Sequence, residues 1–138
     1  MICNPCKMTT KTLLSRVLSF FYLLAVCFIC FETTGGLPTA QTSIFGLPMD
    51  KLIHFMMFAP FPILAYLSFD HKPNKPGKSV LFIFLTILAG CAIGAATEII
   101  QKILPTRAMD INDFYADAAA VVLVSLFVLT IDLFKHQK

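Results

Sequence analysis

The sequence has very little charge for its length. Charged residues make up 14% of its 138 residues and apolar residues make up 57%, whereas ordinary soluble domains have about 25% charged and about 45 to 50% apolar residues. A soluble fold has too little interior to hide so many apolar side chains. The composition therefore excludes a water-soluble protein, and four spans of about 20 residues each leave no room for a separate soluble domain.

The sequence also lacks the motifs of several common functions. Its basic residues form no run with interleaved aromatic residues, so nothing indicates nucleic-acid binding. The Cys3-x-x-Cys6 pair has no second pair to complete a structural zinc site, so neither a metal nor a cofactor is predicted. There is no HExxH or GxSxG sequence to indicate a metalloprotease or a serine hydrolase.

Four apolar stretches are long enough to cross a bilayer. The predicted fold is an all-α membrane protein, with a single four-helix transmembrane domain over residues 13–134 that follows an N-terminal segment over residues 1–12. The predicted spans cover residues 13–31, 52–69, 80–104 and 114–134. No small-residue cleavage site follows the first stretch, so we expect it to be retained as a span rather than removed as a signal peptide.

Two spans contain residues that shape helices. Pro60 and Pro62 lie inside the second span and predict a kink there, which a membrane bundle tolerates when neighbouring groups bind the freed carbonyls. The third span contains a GxxxG sequence, Gly90 to Gly94, which lets another backbone approach closely. We expect the alanine-rich start of the fourth span, over residues 116–120, to pack there; a homo-oligomer contact is an open alternative.

The distribution of Lys and Arg predicts the orientation, because cytoplasmic segments carry the excess of these residues. Eight of them lie in the N-terminal segment, the second connection and the C-terminus: Lys7, Lys11, Arg16, Lys72, Lys75, Lys78, Lys135 and Lys138. Only Lys51, Lys102 and Arg107 lie on the other side. Both termini are therefore predicted to be cytoplasmic, and the first and third connections are predicted to face outward.

This orientation gathers most ionisable side chains at the outer face. A charge near the bilayer centre costs about 2.5 to 3.5 kcal/mol on insertion scales and usually faces the bundle interior with a partner. Glu98 lies more than a turn inside the third span, and its predicted partner is Arg107, Lys102 or His54. Asp132, near the opposite face, is expected to reach water by snorkelling. The candidate ligand-binding residues are Asp50, Lys51, His54, Glu98, Gln101, Arg107, Asp110, Asp113 and Asp117.

Several of these residues also have a purely structural explanation. Asp50 and Asp110 each precede an apolar helix, where an N-cap is favoured. Asp113 and Asp117 are placed to interact with the positive end of the fourth helix dipole. His54 on an apolar span is, taken alone, typical of a hydrogen-bonded packing residue. None of these explanations accounts for the concentration of all the groups on one side of the membrane.

Four short motifs follow one another between residues 50 and 113. They are Asp50-Lys51-Leu52-Ile53-His54-Phe55, Glu98-Ile99-Ile100-Gln101, Pro105-Thr106-Arg107 and Asp110-Ile111-Asn112-Asp113. In their order and spacing the chain resembles the VanZ-like family over residues 50–129. The founding member of that family is associated with resistance to the glycopeptide antibiotic teicoplanin. The resemblance implies a small helical protein of the bacterial cytoplasmic membrane. It marks seven positions as motif residues: Asp50, Lys51, His54, Glu98, Gln101, Arg107 and Asp113. Asp117 departs from the Asn expected one turn after the helix-four Asp.

Two functions remain in competition. The leading hypothesis is an outer-face site that binds the polar head group of a lipid-linked cell-wall precursor or a lipophilic antibiotic, with Arg107 and Lys51 holding a phosphate or carboxylate. The alternative is an intramembrane enzyme, in which His54 and a carboxylate, Glu98 or Asp113, act as acid and base or jointly hold a divalent ion to process a lipid-linked phosphate. Proton-linked transport is less favoured, because one four-helix chain is small for alternating access.

Overall fold

The computed structural model describes residues 10–31, 43–44, 46–69, 76–104 and 110–136. In chain order the elements are α1 (Thr10–Phe31), β1 (Ser43–Ile44), β2 (Leu47–Pro48), α2 (Met49–Phe58), α3 (Pro60–Ser68), α4 (Pro76–Ile103) and α5 (Ile111–His136). Three features of the sequence lie outside the described residues: the Cys3-x-x-Cys6 pair, Arg107, and most of the N-terminal segment over residues 1–12.

Within these ranges, four helical stretches are long and apolar enough to cross a membrane: Thr10–Phe31, Met49–Ser68, Pro76–Ile103 and Ile111–Lys135. The four predicted spans are therefore confirmed, and the chain is a multi-pass membrane protein. Each span begins three or four residues before its predicted start. An apolar window marks only the part of a helix that lies in hydrocarbon. The helix itself continues into the interface, where a polar first-turn residue such as Asn112 is exposed.

Large apolar side chains cover the outside of the helices. Phe20, Phe28, Phe84 and Phe127 are all more than half exposed, which is the pattern of a lipid-facing surface rather than of a soluble monomer. The helices pack around a small core, in which α4 lies along α5, α2 lies against α5 and α1 lies against α3. The buried core residues are Val26, Cys30, Phe58, Ala120 and Val121.

The second span is broken where the prolines predict it. Helix α2 ends at Phe58, and α3 begins at Pro60 after Ala59, whose N–H donates to the carbonyl of Phe55 at 3.0 Å. A proline has no N–H and cannot continue the helical ladder. At this break the Tyr22 hydroxyl of α1 donates to the carbonyl of Met57 at 2.6 Å. A neighbouring helix thus adds a hydrogen bond beside the kink.

The GxxxG sequence packs inside the chain. A Cβ atom at Gly90 would lie 2.7 Å from Val121 Cγ1 and 3.1 Å from Phe61 Cδ1, and one at Gly94 would lie 3.3 Å from Asp117 Cβ. The close approach of α4 to α5 is confirmed, although the nearest side-chain atoms belong to Val121 and Asp117 rather than to the alanines. The glycines therefore need no second copy of the chain to explain them.

The first connection contains a short hairpin that an all-α description omits. Strands β1 and β2 pair antiparallel, with Ser43 opposite Pro48 and Ile44 opposite Leu47, and Gly46 has a φ of 80° that favours glycine. Because β2 runs directly into α2, Pro48 is the N-cap of that helix and makes no side-chain cap bond. The interpretation of Asp50 as an N-cap is therefore wrong, since Asp50 lies within the first turn.

Candidate functional site

Three helix segments bring their polar side chains together at one end of the bundle: the start of α2, the last two turns of α4 and the start of α5. The packing of α2 and α4 against α5 places residues close together that are about 60 positions apart in the chain. We call the group the polar cluster. It consists of Asp50, Lys51, His54, Glu98, Asp110, Asp113 and Asp117. The structure therefore brings these residues together, as the sequence predicts.

Lys51 is the centre of an ion-pair network. Its ammonium Nζ lies 2.7 Å from Asp110 Oδ2, 2.8 Å from Asp113 Oδ1 and 3.8 Å from Asp50 Oδ2. The hydrogen bond from Lys51 holds the pKa of the Asp110 carboxyl below its usual value. The Lys51 side chain is 26% exposed and that of Asp113 only 9%, so the pair with Asp113 is shielded from water and salt. One lysine thus links α2 to the start of α5.

Asp110 begins helix α5. Its Oδ1 accepts hydrogen bonds from the backbone N–H of Asn112 at 2.9 Å and from Asn112 Nδ2 at 2.8 Å. This is the N-cap arrangement expected from the sequence, in which a side-chain oxygen binds an otherwise unbonded N–H of the first turn. The other oxygen of Asp110 binds Lys51. The cap and the ion pair therefore act on the same carboxylate.

His54 is buried between two carboxylates of α5. Its Nδ1 lies 3.1 Å from Asp117 Oδ1 and its Nε2 lies 3.7 Å from Asp113 Oδ2. Asp113 and Asp117 are one turn apart on α5, so both point at the imidazole. The imidazole is 4% exposed, with a hydrogen bond to Asp117 on one side and the Asp113 carboxylate near its other nitrogen. His54 therefore belongs to the cluster and is not an isolated packing residue.

Glu98 is, like Asp117, almost completely buried, at 1% exposure. Its Oε2 accepts the backbone N–H of Asp110 at 3.3 Å, while Oε1 has no hydrogen-bond partner among the described residues. Of the three predicted partners, Arg107 lies outside the described residues and Lys102 is exposed at the end of α4. The remaining predicted partner, His54, lies near Glu98, since both belong to one compact group of possible metal ligands.

Gln101 lies apart from the cluster. Its Nε2 donates to the carbonyl of Cys30, at the end of α1, at 3.1 Å. The side chain is 3% exposed, so this bond joins α1 to α4 inside the protein. Its position three residues from Glu98 correctly predicts a buried face, but the contact it makes is with α1.

A second polar group lies at the opposite end of the bundle. Asp132 is 3% exposed and accepts a hydrogen bond from the Tyr66 hydroxyl, so the expectation that Asp132 snorkels to water is wrong. Arg16 Nε donates to the carbonyl of Ser68 at 3.0 Å. These contacts join α1, α3 and α5. The sequence does not predict these contacts, because the two partners of each contact lie on different spans.

An apolar cavity of about 310 Å³ lies beside the polar cluster. It is lined by Lys51, Leu52, Phe55 and Ala116, between α2 and α5. Its volume is at the lower end of the range of about 300 to 1,000 Å³ that is typical of small-molecule sites. Of these four residues the sequence predicts only Lys51 as a ligand-binding residue, because leucine, phenylalanine and alanine on a membrane span look like ordinary packing residues. The cavity and the cluster share Lys51.

Two groups of side chains have the geometry to hold a metal ion. One consists of Asp50, His54 and Asp113, the other of His54, Glu98 and Asp117, and within each group one ligand atom per residue lies within 4.8 Å of the others. The described cluster contains five carboxylates, Lys51 and one histidine. Its surplus of negative groups favours cations, and an anion needs an added positive charge to bind there.

No family model, curated protein or solved structure matches the chain. The resemblance to the VanZ-like family rests on the sequence motifs alone. The polar cluster and its cavity are the features from which function is inferred.

Proposed function

We propose that the chain is a VanZ-like membrane protein that binds an amphiphilic, lipid-linked ligand. The polar cluster takes the head group and the neighbouring cavity takes part of the hydrocarbon chain. The observation that carries this proposal is the shared residue: Lys51 lines the apolar cavity and is also the centre of the ion-pair network. A ligand with one polar end and one apolar end fits such a junction, whereas a fully water-soluble ligand leaves the cavity without a role.

The head group most compatible with Lys51 is a phosphate or a carboxylate. Lys51 already binds Asp110 and Asp113, so an incoming anion has to exchange with one of these carboxylates. Asp110 is the more exposed, at 40% against 9% for Asp113, and costs less to release into water. Arg107 is the second predicted anion-binding residue. His54, Glu98 and Asp113 then set the orientation of the head group.

The cluster is proposed to lie at the outer face of a bacterial cytoplasmic membrane, with both termini inside. The excess of Lys and Arg in alternate connections supports this side. A cysteine introduced at Ile111, which is 49% exposed, should react with a membrane-impermeant maleimide in intact cells when the native cysteines are replaced. Labelling only after lysis would reverse the orientation.

Filling the cavity tests the binding function. The Ala116→Phe substitution should lower the affinity of the purified protein for a long-chain polyprenyl phosphate about 15- to 60-fold, because excluding two or three methylenes removes about 0.8 kcal/mol each. Binding is measured in detergent by native mass spectrometry, with phosphatidylcholine as the competing lipid. The matched control is Ala119→Phe, since Ala119 lies on the same helix and is exposed. Equal affinities for Ala116→Phe and wild type would contradict the cavity's role.

A second candidate function, a membrane hydrolase, is favoured by the position of His54. An imidazole held between Asp113 and Asp117 is placed to exchange protons, and the orienting carboxylate is a common feature of catalytic histidines. The same preparation decides between the two functions. Release of inorganic phosphate from polyprenyl phosphate, lost in His54→Gln, supports the enzyme, whereas unchanged lipid after binding supports the binding protein.

A further inference from the structure

Three buried side chains from three different helices meet deep in the polar cluster. They are His54 of α2, Glu98 of α4 and Asp117 of α5, exposed by only 4%, 1% and 1%. One nitrogen or oxygen atom from each lies within 4.8 Å of the other two. We call these three residues the buried triad. Imidazole nitrogen and carboxylate oxygen are both metal ligands.

Two carboxylate oxygens of the buried triad have no partner. Glu98 Oε1 and Asp117 Oδ2 make no hydrogen bond with any described residue, although both atoms are inaccessible to water. Their companion oxygens are occupied, Glu98 Oε2 by the N–H of Asp110 and Asp117 Oδ1 by His54 Nδ1. Buried polar atoms are nearly always bonded, so a pair of unbonded carboxylate oxygens beside a histidine points to a missing ligand.

The charges near the buried triad also point to a missing cation. The ammonium of Lys51 is bound to Asp110 and Asp113 rather than to Glu98 or Asp117. Among the described residues, His54 is the only basic group against these two acids. A divalent cation would neutralise both carboxylates at once, and pairing or metal coordination is how buried charges are normally tolerated.

We propose that His54, Glu98 and Asp117 bind one Zn²⁺ ion. The mixed set of one nitrogen and two oxygens favours zinc over Mg²⁺ and Ca²⁺, which prefer oxygen ligands alone. Zinc bonds to such atoms are about 2.0 to 2.2 Å long with tetrahedral geometry, so ligand atoms around the ion are about 3.3 to 3.6 Å apart. The three ligand atoms lie within 4.8 Å of one another, so the side chains have to close around the ion by up to about 1.5 Å. Three protein ligands leave a fourth position open, as in catalytic zinc sites.

The surroundings of His54 favour the buried triad over the second possible group. Nδ1 faces Asp117 of the triad at 3.1 Å, so a bound ion would replace the proton between these two atoms, and Nε2 faces Asp113 at 3.7 Å. A metal-binding histidine usually donates its other N–H to a carboxylate, which fixes the tautomer. Asp113 is suited to that role because Lys51 already holds its other oxygen. In the group of Asp50, His54 and Asp113, by contrast, both carboxylates lie near Lys51, so a cation there has to compete with an ammonium.

A zinc ion would also make the cluster suitable for an anionic head group. Five carboxylates repel a phosphate, whereas a bound cation with an open position attracts one of its oxygens. This consequence rests on the proposed function, but the metal site itself does not. Zinc binding without lipid binding would leave the metal site intact, and lipid binding by a zinc-free protein would leave the proposed function intact.

The test is zinc binding by the full-length protein in detergent, with Cys3 and Cys6 replaced by serine so that this pair cannot bind the ion. After chelator treatment and equilibration with Zn²⁺, elemental analysis should find one zinc per chain, and an excess of Mg²⁺ should not displace it. Competition with a chromophoric chelator should show affinity losses of about 100-fold or more for Glu98→Gln, Asp117→Asn and His54→Gln, and about 10- to 100-fold for Asp113→Asn.

The matched control is Asp132→Asn, which changes a buried aspartate of the same helix at the opposite end and should keep full zinc affinity. Thermal melting separates loss of a ligand from loss of the fold. Zinc should raise the melting temperature of wild type but not of Glu98→Gln, whose zinc-free form should melt no lower than zinc-free wild type because an unbonded carboxylate is gone. Absence of stoichiometric zinc, displacement by Mg²⁺, or equal losses in Asp132→Asn and Asp117→Asn would each overturn the site.

Discussion

Replacing Lys51 by Met is expected to lower the free energy of unfolding by about 2 to 3 kcal/mol. The substitution removes the ammonium that binds Asp110 at 2.7 Å and Asp113 at 2.8 Å while keeping a long apolar side chain in the cavity wall. Removing one partner of a buried ion pair costs about 3 to 5 kcal/mol because the other charge stays buried. The expected loss lies at or below the lower end of this range because Lys51 is 26% exposed. Reversible unfolding in detergent mixtures measures the change.

A second substitution shows whether the loss comes from the ion pair. In the Lys51→Met, Asp113→Asn double variant, about half of the lost stability should return, since the most buried of the three carboxylates no longer carries a charge. Lys102→Met is the control for losing a lysine, because Lys102 is exposed at the end of α4, and it should be nearly neutral. If Lys51→Met is as stable as Lys102→Met, the network does not hold α2 to α5.

The network and the buried triad divide the polar cluster into two layers. Lys51, Asp50 and Asp110 form the more exposed layer, while Glu98 and Asp117 lie beneath it with almost no exposure. Structural roles are a sufficient reason for the upper layer, since the Asp110 carboxylate caps α5 with one oxygen and joins α5 to α2 through Lys51 with the other. They do not explain the lower layer. The strongest indication of function is therefore the pair of deep acids.

The sequence predicts the spans, the kink and the cap because each depends on local properties. Hydrophobic length identifies each span, and the kink at Pro60 and the cap at Asp110 follow from the chemistry of one or two residues. The position of Glu98 inside an apolar span likewise marks it as buried and partnered. These features depend on the residue and its neighbours in the chain, so one sequence is enough to infer them.

The choice of partner could not be predicted in the same way. Lys51 meets Asp110 and Asp113, and His54 meets Asp117, across 59 to 63 positions of chain. Such pairings depend on the rotation of each helix about its axis, which packing decides. Gln101 therefore binds α1 although its neighbour Glu98 faces the cluster, and the cavity formed by apolar residues leaves no signal in the sequence.

Replacing Gly90 by Leu is expected to destabilise the protein by about 3 kcal/mol. The first side-chain carbon alone would lie 2.7 Å from Val121 Cγ1 and 2.9 Å from Val121 Cγ2, and Val121 is fully buried with a stiff, β-branched side chain. Overpacking of this kind costs about 1 to 3 kcal/mol, and more when the backbones must separate. Unfolding in detergent mixtures should show the loss, and zinc affinity should fall with it, because Asp117 lies one turn from Val121 on the displaced helix.

Gly77→Leu provides the matched control for Gly90→Leu. Gly77 lies in the first turn of the same helix, and a Cβ atom there meets no atom within 4 Å. Leucine is a better helix former than glycine by about 0.8 kcal/mol in a helix interior, so Gly77→Leu should be neutral or slightly stabilising. Adding Val121→Ala to Gly90→Leu should recover part of the loss by making room for the new side chain. If Gly90→Leu is tolerated as well as Gly77→Leu, then α4 and α5 do not approach closely, and Glu98 and Asp117 are not held near enough to share an ion.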